Sequence, residues 1–149
     1  MLIDFYITKC APEIAPVTMK AIIRTESKGN RLAIGLNHNR HLRYQARNIK
    51  QATAWVNYLE EHNYNFDIGL AQINIKNVHK YGYRAKDMLE PCKNLQVAAL
   101  ILQHGYTLAL NTSSNKQEAL YKAISAYNCG NYQTGFNNGY VLRVVHNAF

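Results

Sequence analysis

Glu26 is the residue of this chain best placed by type and spacing to move a proton. Ala15, Met19, Ile22, Ile23 and Glu26 are separated by four, three, one and three positions, which lays all five on one stripe of a helix. A carboxylate on an apolar stripe loses water, which disfavours its charged form, and the C-terminal end of the helix dipole disfavours an anion as well. Both effects raise the pKa, and a carboxyl that keeps its proton near neutral pH can act as a general acid. A structural alternative stays open: Glu26 turns outward to pair with Arg24 or Lys28, or caps a neighbouring helix.

Two later stretches carry candidate partners. Gly69-Leu70-Ala71-Gln72-Ile73-Asn74 is a glycine turn with two amides, Gln72 and Asn74. Ser125-Ala126-Tyr127-Asn128-Cys129-Gly130 brings a tyrosine on a helix's apolar face to an Asn-x-Gly stop. Each is ordinary alone: amides occur in turns, and a buried tyrosine usually satisfies its hydroxyl locally. Ser27 holds either the helix end or the acid. Among possible second carboxyls, Glu60, Glu61 and Asp67, the one to watch is Asp67, two residues before Gly69. No metal ligand set or cofactor motif is expected, because the three cysteines lack zinc spacing. A Cys129 nucleophile with His146 or His104 has no visible activation.

These residues need a helical frame. Pro16 starts a helix running to Ser27, with Gly29 as its stop. A second helix is expected over about 45–62, with Ala52, Trp55, Val56 and Leu59 on the core side. A third begins near Asn94 and carries Leu95, Ala98, Ala99, Leu102, Tyr106 and Ala109. A fourth starts at Ser114 with a Ser-Asn-Lys-Gln capping box and stops at Gly130. A last short helix covers about 140–147. The stretch 66–77, FDIGLAQINIKN, is too short and glycine-broken for a long helix and reads as a turn or small hairpin. The class is mainly α.

The 149 residues are expected to form one domain, 1–149, large enough to bury its own core. Apolar residues make up 48% and charged residues 17%, which excludes a disordered chain, and no apolar run is long enough for a membrane span. The net charge of +8 favours an anionic partner: nucleic acid, acidic lipid or an acidic wall polymer. Arg31, Arg40, Arg43, Arg47 and Lys50, with His38 and His41, share residues 31–50 without one acid. That segment is either a solvated basic face or a ligand contact. No nucleic-acid motif accompanies it. Cys10 and Cys92 both lie in short segments expected to precede helices, where a disulfide would tie two elements together. Three reduced thiols are the alternative.

Taken together and in order, Glu26-Ser27, GLAQIN and SAYNCGN resemble the motifs of the lytic transglycosylases, a family with the goose-type lysozyme-like SLT fold. CAPEIAPVTMKAIIRTES, GNRLAIGLN, PCKNL and GFNNGYV look closer still to the specialised transglycosylases of type IV secretion and conjugation systems. The resemblance covers about 10–145. It implies a lysozyme-like fold with the hairpin region beside the cleft, and cleavage of the MurNAc-GlcNAc β-1,4 bond of peptidoglycan to 1,6-anhydromuramoyl products. Glu26 would be acid and then base. Gln72 would bond the sugar's N-acetyl or hydroxyl groups, Tyr127 would lie against Glu26 and the saccharide, and Asn128, Ser27 and Asn74 would shape the groove.

The resemblance further implies an exported, periplasmic monomer with a Cys10–Cys92 disulfide and no cofactor. Its partners would be glycan strands and type IV secretion assembly proteins, with no nucleic acid and no membrane insertion. The start MLIDFYITKC lacks a basic leader and a cleavage site, so an exported protein would be met here as its processed form or as a trimmed piece. Alternatives are a hydrolytic muramidase on the same fold, toward which Asp67 would turn the reaction, and a non-catalytic wall-binding scaffold. Many relatives carry methionine where this chain has Ala71. The basic 31–50 segment, Trp55 and Tyr58 would be available to glycan and acidic stem peptides, although Trp55 at helical spacing is expected in the core.

Overall fold

The structure, a computed structural model, describes residues 2–148. Among them are eight α-helices: α1 (Ile3–Cys10), α2 (Pro16–Ser27), α3 (Ile49–Glu61), α4 (Ile75–Lys80), α5 (Pro91–Leu110), α6 (Lys116–Cys129), α7 (Thr134–Asn137) and α8 (Tyr140–Asn147). Three short strands, β1 (Ile34–Leu36), β2 (Phe66–Ile68) and β3 (Ile73–Asn74), form one antiparallel sheet in that order. The mainly α expectation holds. No described helix is long and apolar enough to cross a membrane.

The core sits around α5, whose Leu95, Val97, Ala98, Ala99 and Leu102 are all nearly inaccessible. Met19, Ala21, Ile22 and Ile23 of α2 join it. The helix α2 keeps the expected bounds, and its end is a left-handed Lys28 (φ 55°) followed by Gly29. The 140–147 helix also keeps its bounds.

Other boundaries differ, each for a local reason. The second helix starts at Ile49 because the Asn48 side chain caps it by accepting from the Gln51 N–H. Gln45 instead uses its side-chain amide like a strand partner, bonding both the N–H and the carbonyl of Ile34. The helix α6 is capped by Asn115, which accepts from the Glu118 N–H, rather than by Ser114. The Glu118 carboxylate reaches back to the Ser114 N–H. Trp55 is not core: it is 40% exposed and stands on the outer face of α3 beside Tyr58, while Ala52, Val56 and Leu59 are buried.

The cysteines sit inside helices, not before them. Cys10 ends α1 and Cys92 lies in the first turn of α5, and the two form a disulfide with Cα atoms 5.2 Å apart. It fastens α1, a helix that the sequence pattern left unassigned, to the central helix.

The expected hairpin is present and gains a third strand. Ile68 pairs with Ile34 and Ile73, and Asp67 pairs with Gly35 and Asn74. Alternation along β2 turns Phe66 and Ile68 into the core and leaves Asp67 on the opposite face, between Gly35 and Asn74.

Candidate active site

That opposite face of the sheet, the C-terminal end of α2 and the C-terminal end of α6 enclose a polar cleft of about 430 Å³. Glu26, Asp67, Gln72, Asn74, Tyr127 and Asn128 all line it. Five residues that the sequence nominates are therefore brought together, and Asp67 joins them. A larger groove of about 820 Å³, mostly apolar, runs between the start of α2, α5 and the start of α6. It contains none of these residues, so chemistry, not size, singles out the polar cleft.

Glu26 is partly buried, and it neither turns outward nor pairs with Arg24, whose guanidinium donates to the Asn147 carbonyl. Its Oε1 accepts a 2.6 Å hydrogen bond from the Tyr140 hydroxyl, at the first position of α8. Burial raises the Glu26 pKa, the Tyr140 bond lowers it, the Asp67 charge raises it and Arg143 lowers it. The balance lies at about 7. With Oε1 taken up by this bond, Oε2 is the carboxyl oxygen left without a hydrogen-bond donor among the described residues. A carboxyl in this state donates and takes back a proton at neutral pH.

Tyr140 is 2% exposed, and burial beside Glu26 raises its pKa further above the ordinary phenol range, so it stays a donor. The sequence reading passes over it. GFNNGYV contains it, but a tyrosine following Gly139 carries no local sign of a partner 114 residues away.

Asp67 is the second acid of the cleft. Burial raises its pKa, offset in part by amide donors: Asn74 Nδ2 at 2.8 Å and Asn37 Nδ2 at 3.4 Å. Asn74 also bonds Asn65 and caps α4 through the Lys76 N–H, so its polar atoms are engaged by the protein. Asn128 is exposed, and its Oδ1 accepts from the Cys129 thiol.

The turn joining β2 to β3 is pinned from three helices. The Ser27 hydroxyl of α2 donates to the Leu70 carbonyl at 2.7 Å, and the Tyr127 hydroxyl of α6 donates to the Ala71 carbonyl at 2.6 Å. From α5, the buried Asn94 accepts from the Ala71 N–H and donates to the carbonyls of Ile68 and Met88. Gly69 has φ 80°, and a Cβ there would stand 2.4 Å from both Asn94 Nδ2 and the Met88 carbonyl oxygen, so only glycine fits. Ser27 is not part of the cleft lining, and its hydroxyl is spent on this turn. Ala71 is fully buried.

Gln72 is presented by the same turn with a left-handed backbone, φ 50°. Its amide nitrogen donates to the carbonyls of Ala33 and Gly69. The amide oxygen has no donor among the described residues and faces the cleft as an acceptor. Gly35 makes room for it, since a Cβ there would come within 2.6 Å of that oxygen.

The arrangement is a carboxyl with its pKa raised to about 7, a second acid in the same cleft and an amide-rich wall, without a metal-binding cluster among the described residues. Such a lining suits a ligand rich in hydrogen-bonding groups.

Comparison with known proteins agrees with this chemistry. The transglycosylase SLT domain matches residues 5–144. The type IV secretion system protein virB1 of Brucella suis is 38% identical over 146 residues, covering 94% of this chain and 61% of that protein. Protein virB1 of Agrobacterium fabrum is 41% identical over 137 residues, 91% of this chain and 55% of that protein. The virB1 protein of Rhizobium radiobacter is 39% identical over 142 residues, 95% and 58% respectively. The chain thus spans less than two thirds of these relatives' length. No solved structure gives a significant match. With the domain matched over nearly its whole length, this chain belongs to the transglycosylase SLT domain family.

Proposed function

We propose that the chain is a peptidoglycan lytic transglycosylase domain that opens the cell wall locally for a type IV secretion or conjugation apparatus. The observation that carries the chemistry is Glu26: a carboxyl held by Tyr140 in a polar cleft with its pKa raised to about 7. Oε2 gives its proton to the glycosidic oxygen, the bond from that oxygen to the muramoyl C1 breaks, and N-acetylglucosamine leaves with a free hydroxyl. The Glu26 carboxylate then takes the proton from the muramoyl 6-hydroxyl as its oxygen bonds C1. One proton is borrowed and returned, no water is consumed, and no cofactor is required.

The sheet face positions the substrate. The Gln72 amide oxygen accepts from an N-acetyl N–H or a hydroxyl, Asn128 offers a further amide at the rim, and Tyr127 packs beside Glu26 while holding the turn. Ser27 and Asn74 act through that turn and through Asp67, as positioning residues. The virB1 likeness supports service to a secretion apparatus and its assembly proteins, and the Cys10–Cys92 disulfide supports an extracytoplasmic location. We place the domain there as a monomer on glycan strands.

Asp67 favours a second reading, hydrolysis. Retaining and inverting hydrolases both use a carboxyl pair, the partner acting as nucleophile or activating water. Mass spectrometry of digested sacculi separates the two readings, because anhydro ends are lighter than reducing ends by one water. Anhydro ends support the transglycosylase, and reducing ends alone would replace it with a muramidase.

A further inference from the structure

One helical turn after Tyr140, the Arg143 side chain reaches back over the turn from which α8 emerges. Its Nη1 donates to the Asn138 carbonyl at 3.3 Å, and the Asn138 side chain accepts from the Tyr140 N–H at 2.9 Å. Gly139, at φ 80°, leaves the guanidinium room, since a Cβ there would stand 3.4 Å from Nη1. The guanidinium carbon thereby lies 5.9 Å from the centre of the Tyr140 ring, within range of a cation–π contact. The hydroxyl of that same ring is the one bonded to Glu26.

The charges around Glu26 make this contact unusual. Asp67 faces it from β2, the Tyr127 hydroxyl from α6 and the Tyr140 hydroxyl from α8, with the Cys129 thiol beside Tyr140. On α2 itself, Arg24 is bound to the Asn147 carbonyl and Lys20 to Asp4 of α1. Lys76 of α4 lines the cleft, and His146 is exposed one turn beyond Arg143. Arg143 is the cation whose charge acts on Glu26, and it favours the carboxylate. It takes part in no ion pair among the described residues, so its charge is not spent elsewhere. Nor does it line the cleft, which leaves it clear of a bound ligand.

We propose that Arg143 is a positioning residue of the cleavage reaction: across the Tyr140 ring it steadies the hydroxyl on Glu26, and its charge stabilises the Glu26 carboxylate left once the proton has passed to the glycosidic oxygen. The inference rests on the glycan-cleaving reading above. Giving up the proton leaves an anion in a buried place near a second acid, and both burial and Asp67 oppose it. Arg143 offsets that opposition as the charge develops. Because it touches the acid's support and not the substrate, its removal acts on kcat and not on KM.

The test reads Glu26 ionisation without substrate and cleavage with it, in wild type, Arg143→Met and Arg143→Lys. Carboxyl-carbon NMR of glutamate-labelled protein, with Glu26 assigned by its loss in Glu26→Gln, gives the titration midpoint. It is expected at about 7 in wild type, at higher pH in Arg143→Met, and back toward the wild-type value in Arg143→Lys, which restores the charge. In about 1 M salt, where the screening length falls to roughly 3 Å, the midpoint should rise further in wild type than in Arg143→Met, because the exposed guanidinium is screened. On soluble glycan strands, kcat of Arg143→Met should be about two- to fivefold lower with KM unchanged, the scale of an exposed cation–π contact. A midpoint equal to wild type in Arg143→Met, a midpoint in Arg143→Lys no closer to wild type than that of Arg143→Met, or a loss confined to KM would overturn the assignment. A shifted midpoint with no cleavage by wild type would overturn the glycan-cleaving reading, and with it the role in cleavage, while the electrostatic link between Arg143 and Glu26 stood.

Discussion

The Tyr140 hydroxyl lies 2.6 Å from Glu26 Oε1 and joins the start of α8 to the end of α2. A donor to a carboxylate favours the ionised form, yet the Glu26 pKa stands at about 7 because burial outweighs the bond. Tyr140 therefore has two effects: it occupies one of the two carboxyl oxygens, and it holds the Glu26 pKa below where burial alone would put it.

Tyr140→Phe removes the lowering contribution. The fall of kcat/KM that accompanies Glu26 ionisation near pH 7 should move to higher pH, with kcat lower by roughly tenfold from lost orientation. A pH–rate profile on sacculi reads both. An unmoved profile would mean that the hydroxyl only packs.

Asp67→Asn acts in the opposite sense, because the Asp67 charge raises the Glu26 pKa. The same limb should move to lower pH. If Asp67 is only an electrostatic neighbour, the products stay anhydro. If it activates water, reducing ends disappear with the variant, and the hydrolytic reading gains what the transglycosylase reading loses.

A raised carboxyl also shapes stability. The folded chain binds the Glu26 proton more tightly than the unfolded chain, so the stabilisation is complete below pH 4.5 and is lost as pH rises through about 7. Glu26→Gln does not titrate. Its stability advantage over wild type should be small at pH 4.5 and grow to roughly 2–3 kcal/mol at pH 8. Urea unfolding at the two pH values checks this, and an equal gap at both would contradict the assigned pKa.

The disulfide closes a separation of 82 residues and leaves Cys129 as the free thiol. Thiol counting on the denatured, unreduced protein should find one reactive group, and reduction should find three. Cys10→Ser should lower stability by about 2–5 kcal/mol, with a matching drop in Tm.

That Glu26 shares a helical stripe with Ile22 and Ile23 was legible in the sequence, because helical spacing is local information, whereas its turning inward to Tyr140 was not. The bounds of α2 and α8 were legible too, since Pro16, Gly29 and Gly139 punctuate the chain where the backbone turns left-handed or starts a helix. Tyr140, Asn94 and Asn37 were not legible, because each matters through a partner far along the chain. Trp55 misleads for a related reason: its spacing fits the same side of α3 as Val56 and Leu59, but α3 buries a narrower stripe than the sequence pattern allows. Equally illegible was that the hydroxyls of Ser27 and Tyr127 hold the turn that presents Gln72, since their acceptors lie 43 and 56 residues away.

The central claim is that Glu26 both gives and takes the proton. Glu26→Gln should fold normally, keep the Tyr140 contact and release 1,6-anhydromuramoyl products from sacculi at least about a thousandfold more slowly than wild type. Anhydro products appearing from the variant at a wild-type rate would contradict it.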